Sequence, residues 1–392
     1  MEKTPLSMRK QIVLIGETNS GKSTLFNAIL NREDAIVSAE KGTTTDPLIK
    51  AMELIPYGPV AVVDTAGLGD DTVLGSQRMK KTEEKLRSAD LVICVYDITN
   101  PKEIKIDLKD KAYLDVYTKC DLLSNEELEN QKKNSNGVFV SGVNKDGIDE
   151  LKKRIIQKLS EQERDDESLL KGLLPKGATV VLVTPIDSAA PKGRLILPQV
   201  QLIRDCLDND MKAYVTKENT LKDALNELKK VDLVVTDSQA FKIVDEIVPK
   251  EIPLTSFSML LARQKGNFKQ YLDGAEHLLS LTSESKVLVM EGCSHNSTHE
   301  DIGRVKIPAL IKKVTGADCE FVYVTGYQFP ENAEEFDLAL SCGMCMINKQ
   351  EVKSRLEILK NADVPVVNYG IAIACLSGIL DRAKEIFGRR GQ

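Results

Sequence analysis

No run of about eighteen apolar residues occurs in the 392-residue sequence, so no segment reads as a membrane-spanning helix and no membrane partner is expected. The opening residues, Met1-Glu2-Lys3-Thr4-Pro5, lack the apolar core of a secretion signal, and a cytoplasmic location is the expectation. There is no low-complexity tract, and 42% hydrophobic with 29% charged residues reads as globular throughout. A basic surplus is missing too. The net charge of −6 argues against a broad nucleic-acid surface, so no nucleic-acid partner is expected. Tryptophan is absent, and nothing follows from that. What the chain does have is eight cysteines, which in a reducing compartment read as thiols or metal ligands rather than disulfides.

The strongest local signal is Gly16-Glu17-Thr18-Asn19-Ser20-Gly21-Lys22-Ser23, directly after the apolar run Ile12–Ile15 and before a helical pattern opening at Thr24. Strand, glycine-bounded loop and helix together form a phosphate cradle: backbone N–H groups and the positive helix end face phosphate oxygens. In such a loop Lys22 reaches the β and γ phosphates, and the Ser23 hydroxyl holds Mg²⁺. Asp64-Thr65-Ala66-Gly67 follows the apolar strand Val60–Val63; Asp64 is placed to bind Mg²⁺ through water and the Gly67 N–H to touch the γ-phosphate. In Lys41-Gly42-Thr43-Thr44-Thr45-Asp46 a threonine hydroxyl can become a direct Mg²⁺ ligand.

Thr118-Lys119-Cys120-Asp121 follows another strand, where Asp121 can accept hydrogen bonds from guanine N1 and N2, donors that adenine lacks. Bonds to a charged group contribute about 1.5–3 kcal/mol each, enough for one aspartate to exclude ATP. Ser141-Gly142 would then close over the guanine O6. The nucleotide candidates are therefore Gly16, Asn19, Ser20, Gly21, Lys22, Ser23, Thr24, Lys119, Asp121, Ser141 and Gly142, with Lys22, Thr44, Asp64 and Gly67 as catalytic candidates. Asp70 and Asp71 read as solvated loop acids.

The pattern along the chain is α/β: a P-loop GTPase domain at 1–168, then two smaller α/β domains with mainly parallel sheets, 175–260 and 261–392. The first boundary rests on the charged stretch Glu161–Glu167 followed by Gly172, Pro175 and Gly177. The middle unit lacks polar clusters and reads as a dimerisation domain, giving a homodimer. Its irregular segment runs from Pro185 to Pro198. In the third unit Ala262–Leu281 and Ile371–Phe387 each read as one helix.

Two cysteine clusters fall at strand ends there: Cys293-Ser294-His295 and Cys342-Gly343-Met344-Cys345. Ligands collect outside the carboxyl ends of parallel strands, so the clusters can meet. Three Cys and one His would close a tetrahedral zinc site, the better reading by spacing alone; three thiolates around an iron–sulfur cluster would leave one iron open. Cys94, Cys206, Cys319 and Cys375 lie in apolar runs and read as core thiols, Cys120 is non-specific, and His277 and His299 read as structural or solvated.

The nucleotide motifs resemble the translation-factor-like GTPases, in the branch that includes TrmE and Era. That resemblance makes Thr44 the Mg²⁺ threonine ahead of Thr43 and Thr45, and makes Asn19 a K⁺-holding residue whose ion supplies charge that an arginine finger supplies elsewhere. Leu68 stands where Ras-like enzymes carry a water-orienting glutamine, implying slow hydrolysis without help; Thr118 stands where asparagine is usual. Over essentially the whole chain the arrangement resembles the [FeFe]-hydrogenase maturation GTPases of the HydF family, including Thr43–Pro47 and Glu291-Gly292-Cys293-Ser294-His295. The resemblance implies a [4Fe–4S] cluster on Cys293, Cys342 and Cys345. Its fourth ligand stays open between His295, solvent, a carboxylate and an exchangeable group, because Ser341 replaces a family histidine. It further implies a scaffold that receives a diiron precursor from radical-SAM maturases and delivers it to the hydrogenase apoprotein. The rival expectations are a zinc-containing TrmE/Era-like GTPase in RNA modification or ribosome assembly, and a plain interaction protein with a degraded GTPase.

Overall fold

The computed structural model describes residues 4–30, 47–68, 73–108, 111–162, 168–186, 193, 195–292 and 302–388. It forms two compact units, 1–165 and 166–392. No described helix is long and apolar enough to cross a membrane.

The first unit runs β1 (Lys10–Ile15), α1 (Lys22–Ile29), β2 (Leu48–Leu54), β3 (Gly58–Asp64), α2 (Val73–Ser88), β4 (Leu91–Asp97), β5 (Tyr113–Thr118), α3 (Asn125–Asn134), β6 (Val138–Phe139) and α4 (Ile148–Gln162). The strand order is β2-β3-β1-β4-β5-β6, and only the β2–β3 pair is antiparallel. Strand β1 is buried on both faces, which is why it reads as a continuous apolar run: Ile12 and Leu14 enter one core, Val13 and Ile15 the other. Helix α3 escaped the periodicity reading because it buries nothing. Its signal was the capping box, in which Ser124 Oγ accepts from the Glu127 N–H while the Ser124 N–H donates to the Glu127 carboxylate.

The second unit holds two four-stranded, wholly parallel sheets. Its first half runs β7 (Thr179–Val183), α5 (Leu197–Asp208), β8 (Lys212–Thr216), α6 (Leu221–Glu227), β9 (Leu233–Thr236), α7 (Phe241–Ile247), β10 (Leu254–Ser256) and α8 (Phe257–Lys265). Its second half runs α9 (Phe268–Ala275), β11 (Lys286–Glu291), α10 (Ile307–Thr315), β12 (Glu320–Thr325), β13 (Leu338–Ser341), α11 (Lys349–Asn361), β14 (Val366–Asn368), α12 (Tyr369–Leu376) and α13 (Leu380–Gly388). The orders are β10-β9-β7-β8 and β12-β11-β13-β14. One core joins both sheets, with Val181 and Val183 packed in the same cluster as Val287 and Val289.

Two helices expected as single pieces are each broken. Ala262–Leu281 stops at Gly266, whose extended backbone (φ −116°, ψ −160°) leaves the helix, and restarts when Asn267 accepts from the Gln270 N–H; a short 3-10 turn, Glu276–Ser280, follows. Ile371–Phe387 breaks after Leu376, where Gly378 takes φ +73°. Breaking the first helix lets α9 press on β14: a Cβ built on Gly274 would lie 2.1 Å from Val366 O and 2.6 Å from its carbonyl carbon. At an open helical site Gly→Ala gains about 1 kcal/mol. Here it collides with backbone, so Gly274→Ala is expected to cost about 1–3 kcal/mol. Denaturant unfolding checks this, and an unchanged or raised midpoint would refute the close packing.

Candidate nucleotide and cysteine sites

The side to which successive strands are added switches at β1/β4 in the first sheet and at β11/β13 in the last, and the carboxyl ends of such strand pairs form ligand crevices. The loop after β1 fills the first. Gly16 admits no side chain, since a Cβ there would lie 2.3 Å from Val95 O on β4. Gly21 caps α1 in the left-handed region (φ +87°), and Asn19 is left-handed too (φ +65°). Lys22 curls back over the loop and donates to Gly16 O (2.9 Å) and Glu17 O (2.8 Å). Burial lowers its amine pKa, against the pull of Asp64 and Glu17.

Ser23 Oγ donates to Asp64 Oδ2 at 2.8 Å. Burial pushes the Asp64 carboxyl up, against the Ser23 bond and the Lys22 charge, and its Oδ1 is buried with no hydrogen-bond partner among the described residues. A hydroxyl beside a carboxylate with one unused oxygen is an oxygen donor set that suits Mg²⁺. The segment after β3 lies along the phosphate loop: Thr65 Oγ1 donates to Leu14 O (2.7 Å) and the Leu68 N–H to Gly16 O (3.0 Å). Gly67 is wedged there, a Cβ falling 2.5 Å from Thr18 Oγ1 and 2.8 Å from its Cα.

On the base side, Asp121 Oδ1 accepts from Ser141 Oγ (2.6 Å), and the 141–142 turn packs on α1 with Gly142 against Thr24. Lys119 (φ +61°) pairs with Asp97 Oδ2 at 2.6 Å. Burial alone would raise Asp97, but the bonds from Lys119 and Thr99 outweigh it and hold the carboxyl low. The unusual Thr118 has a visible job: its Oγ1 lies 2.6 Å from Ser20 O and 3.1 Å from Tyr96 O, tying the loop after β1 to the end of β5. Neither Asp97 nor this role of Thr118 was found from the sequence. Both stand at the carboxyl ends of β4 and β5, where position was the available signal. A cavity of about 160 Å³ beside the loop is lined by Glu17, Asn19, Tyr96, Asp97 and Lys102 among others. Thr43, Thr44, Thr45, Asp70 and Asp71 lie outside the described residues.

In the last sheet, β13 runs into Cys342 and β11 into Gly292. Cys342 Sγ accepts from the Gly292 N–H at 3.1 Å and the Met344 N–H at 3.3 Å. Burial and the neighbouring Cys345 push its thiol up to about 11, against those two donors. Met344 is left-handed (φ +49°). From α8, the buried Lys265 donates to Met344 O (2.8 Å), Ile347 O (2.8 Å) and Cys345 O (3.3 Å), and burial lowers its amine to about 8. Asn368 Nδ2 reaches Cys342 O at 3.3 Å. Cys293, His295 and His299 lie outside the described residues, and no group of three metal-capable side chains occurs among those described. The remaining thiols sit in packing positions: Cys94 and Cys206 are buried and pushed up to about 12, while Cys319 and Cys375 are half-buried. Buried Cys120 contacts Tyr117 O, and His277 is exposed on its short turn.

Three family models match in chain order: "50S ribosome-binding GTPase" over residues 11–145, "Hydrogen maturase F dimerization domain" over 169–266 and "Hydrogen maturase F tetramerization domain" over 269–386. The tRNA modification GTPase MnmE of Francisella tularensis subsp. novicida is 34% identical over 162 residues, which are 38% of this chain and 35% of that protein. MnmE of Legionella pneumophila is 33% identical over 169 residues, 41% and 37%. The chain thus spans about a third of the length of the curated relatives it matches. Among solved structures, the G domain of the T. maritima FeoB iron transporter is 25% identical with a TM-score of 0.30, covering 38% of this chain and 98% of that one. Aquifex aeolicus Era bound to GDP·AlF4− is 20% identical with a TM-score of 0.33, covering 53% and 93%. The two hydrogen maturase F domains together take up more than half of the sequence behind a GTPase domain, and the chain belongs to the HydF family of GTPases.

Proposed function

We propose that this GTPase is a scaffold or carrier that binds a [4Fe–4S] cluster through Cys293, Cys342 and Cys345 and assembles or delivers the diiron precursor of the [FeFe]-hydrogenase active site. The observation that carries the reading is the 3.1 Å bond from the Gly292 N–H to Cys342 Sγ. Gly292 is the residue before Cys293 in the sequence, and its contact with Cys342 supports a reading in which both cysteine clusters serve one site. The residues fit the group: the soft thiolate donors suit iron–sulfur chemistry, and backbone N–H donors to sulfur tune such clusters. The fourth position is open to His295 or an exchangeable group. Radical-SAM maturases and the hydrogenase apoprotein are the partners under this reading. The two matched maturase domains support a homodimer or higher assembly.

In the nucleotide site, Lys22, Ser23, Thr44, Asp64 and Gly67 hold the phosphates and Mg²⁺, while Lys119, Asp121, Ser141 and Gly142 read guanine. Leu68, buried against the loop, cannot orient water, so turnover is slow unaided. Asn19 lines the loop where K⁺ would add positive charge. GTP hydrolysis is therefore expected to run faster in K⁺ than in Na⁺ at equal ionic strength; equal rates would remove Asn19 from this role. A second reading, a zinc-containing GTPase acting in RNA modification or ribosome assembly, draws on the MnmE similarity of the first domain. Iron and acid-labile sulfide assayed after anaerobic purification decide between them. One zinc per chain without iron would end the hydrogenase reading.

A further inference from the structure

We propose that Lys265 is the positioning and charge-balancing residue of the cysteine site: it orients the Cys342–Ile347 loop and offsets the negative charge of a metal–thiolate group bound there. The inference rests on the iron–sulfur reading above.

The loop is polarised. Its carbonyls at Met344, Cys345 and Ile347 all turn toward the Lys265 ammonium, while N–H groups at Gly292 and Met344 turn toward the Cys342 sulfur. Three acceptors take up the three N–H donors of the amine. With its donors engaged on carbonyls, Lys265 acts on the sulfurs through charge and not through contact.

A lysine 7% exposed at the end of a helix is costly unless something negative faces it. No carboxylate forms an ion pair with Lys265 among the described residues. The loop whose carbonyls it binds carries the Cys342 and Cys345 sulfurs, which are neutral thiols until a metal binds them. Glu291, at the end of β11, is engaged by Arg304 at 2.8 Å. The missing counter-charge is supplied when the thiols become thiolates around a metal core. Three thiolates leave such a core anionic, and one-electron reduction adds a further negative charge. A fixed cation beside it favours the reduced state, and net charge is among the levers that set cluster potentials.

The test uses the full chain reconstituted anaerobically with iron and sulfide, as wild type, Lys265→Gln and Lys265→Arg. Iron and sulfide per chain and the one-electron midpoint potential are read by EPR-monitored titration. Lys265→Gln keeps hydrogen-bond donors but removes the charge. Its midpoint should fall by at least a tenfold change in the reduction equilibrium, 59 mV for one electron, while Lys265→Arg stays with wild type. A purely structural lysine would lower iron content in Lys265→Gln and leave the potential of the remaining cluster unmoved, which overturns the inference. Should Lys265→Gln not fold, Lys265→Arg decides: a wild-type potential supports the role and a lowered one refutes it. A wild-type chain that takes up no iron overturns the iron–sulfur reading and this inference with it. Equal potentials at full iron overturn only the inference.

Discussion

Lys22→Ala is expected to lower GTP turnover by about 100- to 1,000-fold, the loss seen when one preorganised donor to developing charge is removed, and to leave iron content at the wild-type level. Lys22 sits 6% exposed at the head of α1, with its ammonium held over Gly16 O and Glu17 O. Exchanging those two carbonyls for phosphate oxygens requires little movement, because the same loop carries both sets of partners. Alanine removes the charge and also the cation that opposes the burial-driven rise of the Asp64 carboxyl. Without that cation the Asp64 carboxylate is less favoured as a Mg²⁺ partner, so binding and chemistry should weaken together. The cysteine site lies in the other compact unit and shares none of these residues. Single-turnover hydrolysis and iron assays on the same preparation check both halves. Turnover within tenfold of wild type would refute the role of Lys22, and loss of iron alongside turnover would refute the independence of the two sites.

The sequence was most readable where one physical signal dominated. Strand β1 was read to within two residues at its start and to the residue at its end, because a strand buried on both faces is an uninterrupted apolar run. The reading failed where local chemistry overrode periodicity. Apolar spacing continued through Gly266 and Ser377-Gly378, and only the backbone geometry at those glycines shows the break. Helix α3 had no apolar stripe to find.

The two sites were legible to different depths. The phosphate loop is contiguous, so order and spacing revealed it whole. Its supports are not: Thr118 bonds to Ser20 O across 98 positions, and Asp97 meets Lys119 through strand pairing. The cysteine pattern gave candidate sulfurs but not Lys265, which bonds to Met344 from 79 positions away and belongs to no motif. Likewise the Gly292 contact with Cys342 exists only once β11 and β13 are neighbours. Two of the three sheets thus place chemistry-bearing residues where their strand order switches sides, and topology carries the information that separation along the chain conceals.

Cys342→Ala and Cys342→Ser are both expected to lose the cluster, yet they should differ in stability. Changes to groups that merely support a metal ligand cost about 10- to 100-fold in affinity. Deleting a ligand outright should reach at least the upper end of that range, so iron and the low-temperature EPR signal of the reduced protein should nearly vanish in both variants. GTP turnover should stay near wild type. Alanine also strands the Gly292 and Met344 N–H groups that now point at sulfur. An orphaned buried donor costs about 1–3 kcal/mol, so the apoprotein of Cys342→Ala should unfold earlier than wild type. Serine restores an acceptor for those two donors while offering iron a harder, poorer ligand. Its apoprotein should therefore keep most of the wild-type stability and still fail to hold iron. The pair separates two ways of losing a cluster, collapse of the loop and loss of the sulfur. Full iron in Cys342→Ser would mean that the metal does not use this sulfur, and a crevice built around three thiolates could not survive that result.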